Sequence, residues 1–267
     1  MTVVLIFILF LVLYLFLISP RIPRRNMQAF KEYLYAHRGL WNARVPENSL
    51  AAFRAAVENG YGIELDVQLT GDHQLAVFHD HDLFRMCSEH VDLHDISFHE
   101  VKSYHLRETA ETIPSLEEAL QVISGRTPVI VEIKSCRGIR ILCEKTAQVL
   151  DHYKGLFCVE SFNPVAVAWF RKHRPAWFRG QLAFSPRGGK YPKKVSYLFL
   201  ASLIQNVIGR PDFIAYDTDT EKNLPWILVR HLFHPWAAGW TISSQEEYER
   251  CRTCYDLLIF EHFLPRS

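Results

Sequence analysis

Histidines and carboxylates stand at the ends of several apolar segments of this chain. His37 and His79 each close such a segment, and near neutral pH a histidine can take up or release a proton. Glu64 and Asp66 are two residues apart, so both side chains leave the same face of a strand. Glu132 lies near the end of another segment, and three such carboxylates form an oxygen-ligand site for Mg²⁺ or Ca²⁺. These residue types predict metal-assisted cleavage of a phosphodiester.

Cationic side chains accompany these groups. Arg38 offers a planar fork to phosphate oxygens, and Gly39 lets the backbone approach closely. Lys134 shares the face of Glu132 and adds a point charge. Together with the metal they would stabilise the charge of a phosphoryl transition state. Salt-bridged polar residues at a rim are the alternative interpretation, and zinc, which favours histidine ligands closer together, is the less expected metal.

Strand-like and helical segments alternate after the first 32 residues. The predicted strands are Tyr33–Ala36, Gly62–Leu69, Leu75–His79, Val129–Ile133, Leu156–Ser161, Phe178–Ala183, Phe213–Tyr216, Ala237–Thr241 and Asp256–Phe260. The predicted helices are Ser49–Asn59, Ser115–Ser124, Arg140–His152 and Asn163–Arg174. This alternation predicts an α/β fold, a (β/α)8 TIM barrel, in preference to a doubly wound sheet, because no glycine-rich loop follows the first strand.

One connection is too short for a parallel crossover. Only five residues separate Gly62–Leu69 from Leu75–His79, which predicts a hairpin that places His79 opposite Glu64 or Asp66. The following segment, residues 81–112, lacks periodicity and is expected to be a short insertion over the barrel mouth.

The N-terminus is apolar. Val3–Ile18 is continuously apolar, and a transmembrane anchor is favoured over a cleaved signal peptide because no positive region precedes it and no small-x-small cleavage site stands before Pro20. Arg21, Arg24 and Arg25 follow it and predict a single-pass protein with its catalytic domain in the cytoplasm, with a periplasmic or exported orientation as the alternative. The expected division is an anchor at 1–20, a basic linker at 21–32 and one catalytic domain at 33–267.

Composition narrows the function classes. The 267 residues suffice for one large domain, and a formal net charge of +1 argues against a nucleic-acid partner. The six cysteines are scattered, and a lone CxxC at Cys251–Cys254 lacks the second pair of a structural zinc site. Reduced thiols are therefore expected.

Eight motifs, in order along the chain, resemble those of the glycerophosphodiester phosphodiesterase family. They are Ala36-His37-Arg38-Gly39, Pro46-Glu47-Asn48-Ser49-Leu50-Ala51-Ala52-Phe53, Ile63-Glu64-Leu65-Asp66-Val67-Gln68-Leu69-Thr70, Phe78-His79-Asp80, Ile113-Pro114-Ser115-Leu116-Glu117-Glu118, Glu132-Ile133-Lys134, Ser161-Phe162-Asn163 and Gly239-Trp240-Thr241. The resemblance runs from about Tyr35 to Pro265. It departs from the family at Glu261, where an aspartate is common.

The resemblance implies a TIM barrel, a divalent cation and hydrolysis of glycerophosphodiesters to glycerol 3-phosphate and an alcohol. It implies His37 and His79 as the acid/base pair and a phosphate site at Arg38 and Lys134. The metal ligands it implies are Glu64, Asp66 and Glu132. Two further roles rest on the resemblance alone: Glu47 would orient the first histidine or a glycerol hydroxyl, and Trp240 would wall the substrate pocket.

Two other functions stay open. An N-terminal anchor and the apolar segment Val195–Ile208 would bring the site near lipid and favour a lysophospholipase D reaction on lysophospholipids. That segment is otherwise a buried barrel helix. A non-catalytic, membrane-bound binding module is the last alternative, and the complete set of candidate residues argues against it.

Overall fold

Eight parallel strands close into a barrel in the computed structural model, which describes residues 1–186 and 194–266. The strands are β1 (Leu34–His37), β2 (Gly62–Leu69), β3 (Leu75–Val77), β4 (Val129–Ile133), β5 (Phe157–Ser161), β6 (Arg179–Ala183), β7 (Phe213–Asp217), β8 (Trp236–Ile242) and β9 (Leu257–Phe260). β1 pairs in parallel with both β2 and β9, so the sheet has no free edge in the barrel. The predicted TIM barrel is confirmed.

Helices connect the strands on the outside. They are α1 (Thr2–Ile18), α2 (Gln28–Lys31), α3 (Leu50–Glu58), α4 (Phe84–Cys87), α5 (Phe98–Val101), α6 (Leu116–Ile123), α7 (Ile139–Leu150), α8 (Pro164–His173), α9 (Val195–Ser202), α10 (Asn206–Gly209), α11 (Leu224–Phe233) and α12 (Gln245–Cys251). Local sequence sets their starts: Ser115 and Glu118 form a reciprocal capping box at α6. The strands and helices predicted from the sequence agree with the structure to within two residues at each boundary.

Apolar side chains pack on both sides of the barrel wall, in an outer layer and an inner layer. The outer layer packs β2 residues such as Leu65 and Val67 against the helices. The inner layer fills the lower part of the lumen and includes Tyr35, Ile130 and Phe213. Residues of the α2 region belong to this inner layer, so that region covers the end of the barrel where the strands begin. The opposite end of the lumen is left for polar side chains.

The predicted hairpin is confirmed, but its register differs by one residue. β2 and β3 are antiparallel, with Val67 opposite Val77. The backbone N–H of Phe78 then donates to the Asp66 carbonyl at 3.0 Å, so Phe78 and not His79 faces Asp66 across the pair. β3 ends at Val77, and His79 reaches the site from the loop that follows.

The predicted transmembrane anchor is not found. Among the described residues, no helix combines the length and the apolarity needed to cross a membrane. The last turn of α1 packs on the barrel: Ile18 is fully buried, and its carbonyl accepts a 2.8 Å hydrogen bond from Asn206 Nδ2.

The segment Val195–Ile208 does not form the single buried helix that is one interpretation of its sequence. It forms the short helices α9 and α10, and α9 exposes Val195, Leu198 and Phe199. These three side chains contribute surface, whereas Leu203 of the same segment is fully buried in the core.

Candidate active site

Alternation along the strands builds the site. In β4, Ile130 lies in the apolar inner layer, and two residues later Glu132 projects into the same lumen. The pattern repeats at β9, where Ile259 lies in the inner layer and Glu261, directly after the strand, lines the same cavity. In each case the side chain in the apolar core and the side chain in the polar cavity are only two residues apart. The side chains meet at the carboxyl ends of the strands, where TIM barrels carry their active sites.

A cavity of about 380 Å³ opens at this end. Seven of the nine site residues predicted from the sequence line it: His37, Arg38, Glu64, His79, Glu132, Lys134 and Trp240. The other two, Asp66 and Glu47, are buried directly behind that lining. The structure thus brings the predicted set together.

Three buried carboxylates lie close enough to hold one cation. An oxygen from each of Glu64, Asp66 and Glu132 lies within 4.8 Å of the others. Asp66 Oδ1 is buried and accepts no hydrogen bond, although Lys134 Nζ lies 3.2 Å away. Hard oxygen donors with one unpartnered buried atom fit a divalent cation such as Mg²⁺ or Ca²⁺.

Glu160 is a fourth buried carboxylate, which the sequence analysis missed. It lies opposite Glu132 in the β4–β5 pairing, is 2% exposed, and leaves Oε2 without a hydrogen-bond partner. The signal was available, because Glu160 ends an apolar strand as Glu132 does. Burial and the neighbouring Glu132 and Asp66 raise the pKa of Glu160 well above its usual range.

The same crowding affects the predicted metal ligands. Burial, Asp66 and Glu132 raise the pKa of Glu64 well above its usual value. For Asp66 burial acts in the same direction, but the neighbouring Lys134, His79 and Arg38 outweigh it and lower the pKa of Asp66 well below its usual value. A bound cation would relieve this repulsion by offsetting the negative charge.

Backbone groups and one amide position the metal-site carboxylates. Arg38 has a positive φ of 58°, a conformation uncommon outside glycine, and its N–H donates to Glu64 Oε2 at 3.1 Å. Asn48 Nδ2 donates to Asp66 Oδ2 at 2.8 Å. A Cβ on Gly39 would lie 2.8 Å from the Cβ of Ala52, so only glycine allows β1 to end so close to α3.

Each histidine has a carboxylate on its Nδ1. His37 Nδ1 lies 2.6 Å from Glu261 Oε2, and His79 Nδ1 lies 2.7 Å from Asp80 Oδ1. Burial opposes ionisation of Glu261, but its hydrogen bond to His37 outweighs this effect and lowers the pKa of Glu261. A carboxylate at Nδ1 places the proton there and leaves Nε2 of each ring for the reacting groups.

Glu47 contacts cations instead of His37. Its Oε1 accepts from Arg38 Nη1 at 2.7 Å, and both of its oxygens accept from Arg85 at 2.7 and 2.9 Å. Arg85 Nε also donates to Asp80 Oδ2 at 2.6 Å. Orientation of His37 thus falls to Glu261, whereas Glu47 holds the phosphate-binding candidate Arg38.

Arg85 lies on α4, in the insertion at residues 81–112. It joins the carboxylate behind His79 to the carboxylate behind Arg38, so the insertion supports the site. A role for Arg85 was not predictable from local sequence, because its partner Glu47 is 38 residues away in the chain.

A family model confirms what the geometry indicates. The model of the glycerophosphoryl diester phosphodiesterase family matches residues 37–176, the part that carries both histidines and all three metal-ligand candidates. The chain belongs to this family.

Relatives of this family resemble about half of the chain. A glycerophosphodiester phosphodiesterase from Bacillus altitudinis is 34% identical over 154 residues, which cover 53% of this chain and 62% of that protein. Glycerophosphodiester phosphodiesterase 1 from Bos taurus is 36% identical over 140 residues, 47% of this chain and 42% of its own length. A lysophospholipase D from Rattus norvegicus is 30% identical over 144 residues, 49% and 45% of the two chains. The match thus spans less than two thirds of each relative.

Solved structures share the fold over a longer stretch. An Oleispira antarctica phosphodiesterase in complex with sn-glycerol-3-phosphate has a TM-score of 0.70 at 21% identity, covering 85% of this chain and 92% of that one. A glycerophosphodiester phosphodiesterase from Parabacteroides distasonis has a TM-score of 0.69 at 22% identity, covering 86% and 92%. At these identities the likeness concerns the barrel fold.

Proposed function

We propose that this protein hydrolyses glycerophosphodiesters to glycerol 3-phosphate and an alcohol. The observation that carries the proposal is the convergence of two carboxylate-backed histidines, a carboxylate triad and two phosphate-binding cations in one cavity. Family membership and the names of the relatives support the same substrate class.

The carboxylates Glu64, Asp66 and Glu132 would hold one divalent cation, Mg²⁺ or Ca²⁺. When bound, this cation supplies Lewis-acid polarisation of the phosphate oxygens. Arg38 and Lys134 bind the non-bridging oxygens through charge-assisted hydrogen bonds. The side chains of Arg38 and Lys134 are held in place by buried carboxylates. They therefore need to move little when negative charge develops on the phosphate oxygens during the reaction.

His37 is the proposed general base and His79 the general acid. Burial and the adjacent Arg38 lower the pKa of His37, which keeps its Nε2 unprotonated near neutral pH. His37 takes the proton from a water or a glycerol hydroxyl as that oxygen bonds to phosphorus. The bond from phosphorus to the leaving oxygen breaks, and His79 donates a proton to that oxygen. Where the glycerol hydroxyl attacks, the product is a cyclic phosphate, and a water then opens it to glycerol 3-phosphate, with His79 taking the proton of the water and His37 returning its proton to the hydroxyl oxygen.

The direct test is a metal-titrated assay of the full chain on glycerophosphocholine. Glycerol 3-phosphate is measured after chelation and after adding back Mg²⁺ or Ca²⁺. We expect turnover that returns with one of these ions and is lost in Glu132→Gln. Turnover that persists in chelator would exclude the metal-dependent mechanism.

A second candidate substrate class is lysophospholipids. A row of aromatic rings leads away from the site: Trp240 lies 5.7 Å from Phe162, Phe162 lies 5.8 Å from Phe184, and Phe184 lies 4.9 Å from Tyr197 on α9. α9 exposes Leu198 beside the end of this row. Such a row could accommodate an acyl chain while the phosphodiester lies at the histidines.

Comparing glycerophosphocholine with lysophosphatidylcholine distinguishes the two classes. If lipid is used, Leu198→Asp should lower kcat/KM for lysophosphatidylcholine and leave glycerophosphocholine hydrolysis unchanged. Leu232→Asp, at an equally exposed position on α11, is the matched control. A strong preference of the unmodified chain for glycerophosphocholine would remove the lipid alternative.

We also propose that the catalytic domain works in a reducing compartment such as the cytoplasm. All six cysteines are free, and Cys143, Cys158 and Cys251 are buried. Fusing the chain to reporters that mature only in reducing or only in oxidising compartments tests this location.

A further inference from the structure

A cleft of about 550 Å³ lies at the end of the barrel opposite the candidate active site. It is bounded by the end of α1 at Phe16, by the following linker at Arg21 and by Arg171 on α8. Arg179, the first residue of β6, and Arg210, just before β7, complete it. Because β6 and β7 begin here and end at the active site, the two cavities are separated by the length of the barrel.

The cleft carries a surplus of positive charge. Four arginines line it, and in the described part of the chain one carboxylate, Asp212, pairs with them. Asp212 lies 3.7 Å from Arg21 Nε and 3.4 Å from Arg179 Nη1, and it is shared with Arg25, at 3.7 Å. Arg171 and Arg210 have no carboxylate partner among the described residues.

Backbone carbonyls hold these side chains without neutralising them. Arg171 Nη1 donates to Ile208 O at 2.9 Å, and Arg210 Nη1 donates to Phe16 O at 2.9 Å. Carbonyl oxygens carry only partial charge, so each guanidinium stays a full cation. The side chains are thereby fixed around the cleft.

Arg179 is the most buried of these cations. It is 2% exposed, and its Nη1 makes no hydrogen bond. Burial lowers the pKa of Arg179 to about 10, and the neighbouring Arg21 and Arg171 add to this, although Asp212 opposes it. A buried guanidinium with an unused donor and cationic neighbours is stabilised by an anion.

We propose that this cleft binds the oxyanion of a phosphate ester. A tetrahedral phosphate presents several oxygens, so it can accept hydrogen bonds from more than one guanidinium at once. The negative charge of the phosphate would offset the surplus positive charge of the arginines that line the cleft. The group could belong to a small phosphate ester or to an anionic phospholipid headgroup, whose apolar part would suit Phe16 and the exposed apolar surface of α1.

The test uses the full chain, with inorganic phosphate and vesicles as probes. Arg21→Gln/Arg171→Gln removes two cations at the cleft, and Arg24→Gln/Lys172→Gln removes the same charge from the same two segments outside it. Because the catalytic site is also expected to bind phosphate, calorimetric titrations are made in an Arg38→Gln background. Vesicles of phosphatidylcholine, with or without phosphatidylglycerol, are used in co-sedimentation.

We expect the cleft variant to bind phosphate at least about tenfold more weakly than its control. With Arg38 intact, both variants should hydrolyse glycerophosphocholine normally. Loss of binding to phosphatidylglycerol vesicles as well would identify a lipid headgroup as the source, and loss of phosphate binding alone would identify a small ester. Charge reversal in Arg171→Glu, at an exposed site, repeats the test if the double variant is unstable. Equal binding of both probes by variant and control, or binding of neither probe, would overturn the proposal.

Discussion

The two ends of the barrel carry opposite charges that are held in different ways. At the carboxyl ends of the strands, Glu64, Asp66, Glu132 and Glu160 project from strand backbone into the lumen and are nearly fully buried. At the other end, arginines reach inward on long side chains from a linker, a helix, the first residue of β6 and a loop, and they are held mainly by carbonyl oxygens.

The difference concerns rigidity. A carboxylate on a barrel strand cannot move without moving the sheet, so the catalytic end is organised for one geometry. The guanidiniums at the other end are held by carbonyl oxygens that lie outside the sheet, and they are separated from the reacting groups by the length of the barrel. We therefore expect substitutions at the catalytic end to have large effects on turnover and those at the arginine end to have small ones.

The largest effect should come from the histidines. His37→Ala or His79→Ala should lower kcat about 10²- to 10⁴-fold, because each removes a proton-transfer group. His231→Ala, at an exposed position on α11, is the control. Near-normal kcat in either variant, measured on glycerophosphocholine, would contradict the assignment.

Metal binding should stabilise the catalytic end. At a free concentration about 100 times its Kd, one bound cation adds about 2.7 kcal/mol, roughly 5 to 10 °C in Tm. Differential scanning calorimetry of the chelated and loaded chain measures this shift. Glu132→Gln should reduce it, whereas Glu249→Gln, exposed on α12, should leave it unchanged. An undiminished shift in Glu132→Gln would place the metal elsewhere.

Glu261 should act through His37. Glu261→Gln should lower kcat about 10- to 100-fold, as loss of a carboxylate behind a catalytic histidine does. Glu261 raises the pKa of His37, so its loss should also move the acidic limb of the kcat/KM profile to lower pH. Glu261→Asp, the residue common in the family, should restore part of the activity. A lower kcat with an unmoved pH profile would indicate a structural role only.

Arg85 should have a moderate effect, because it is partly exposed. Arg85→Gln should lower kcat up to about tenfold by releasing Asp80 and Glu47. Arg85→Lys should not restore kcat, since lysine lacks the planar fork that holds Glu47 through two bonds. Arg54→Gln, a comparably exposed arginine on α3, is the control. An unchanged kcat in Arg85→Gln would show that Arg85, and with it this contact of the insertion, does not contribute to catalysis.

The smallest effect should be that of Glu47 on the stability of the folded chain at acidic pH. Burial raises the pKa of Glu47, but Arg85 and Arg38 outweigh it and lower that pKa from 4.5 to about 2. The stability that Glu47 contributes is therefore fully present above pH 4.5 and is lost as the pH falls towards 2. Denaturant unfolding at several pH values should show a shallower loss in Glu47→Gln than in the unmodified chain. If the free energy of unfolding fell equally with pH in Glu47→Gln and in the unmodified chain, Glu47 would not be the group that stabilises the fold above pH 4.5.

Local patterns were enough to predict the barrel and most of the site. The period-two alternation and the capping residues located the predicted strands and helices, and parallel strands bring their carboxyl ends together in a barrel. The His37, Glu64 and Glu132 motifs could therefore be assigned to one place before any contact was known. The register of His79 was one residue off, because the end of β3 depends on tertiary pairing.

Spacing within each strand was sufficient to predict the barrel fold and the group of side chains at its catalytic end. The partners of these side chains depend on contacts between distant segments, which form only in the folded chain. His37 meets Glu261 from 224 residues away, and Arg85 meets Glu47 from 38. The arginine cleft likewise combines segments that are separated by more than 180 residues, as Arg210 does when it donates to Phe16. Side chains that distant come together only when the sheet closes, because closure fixes which strand ends and loops are neighbours.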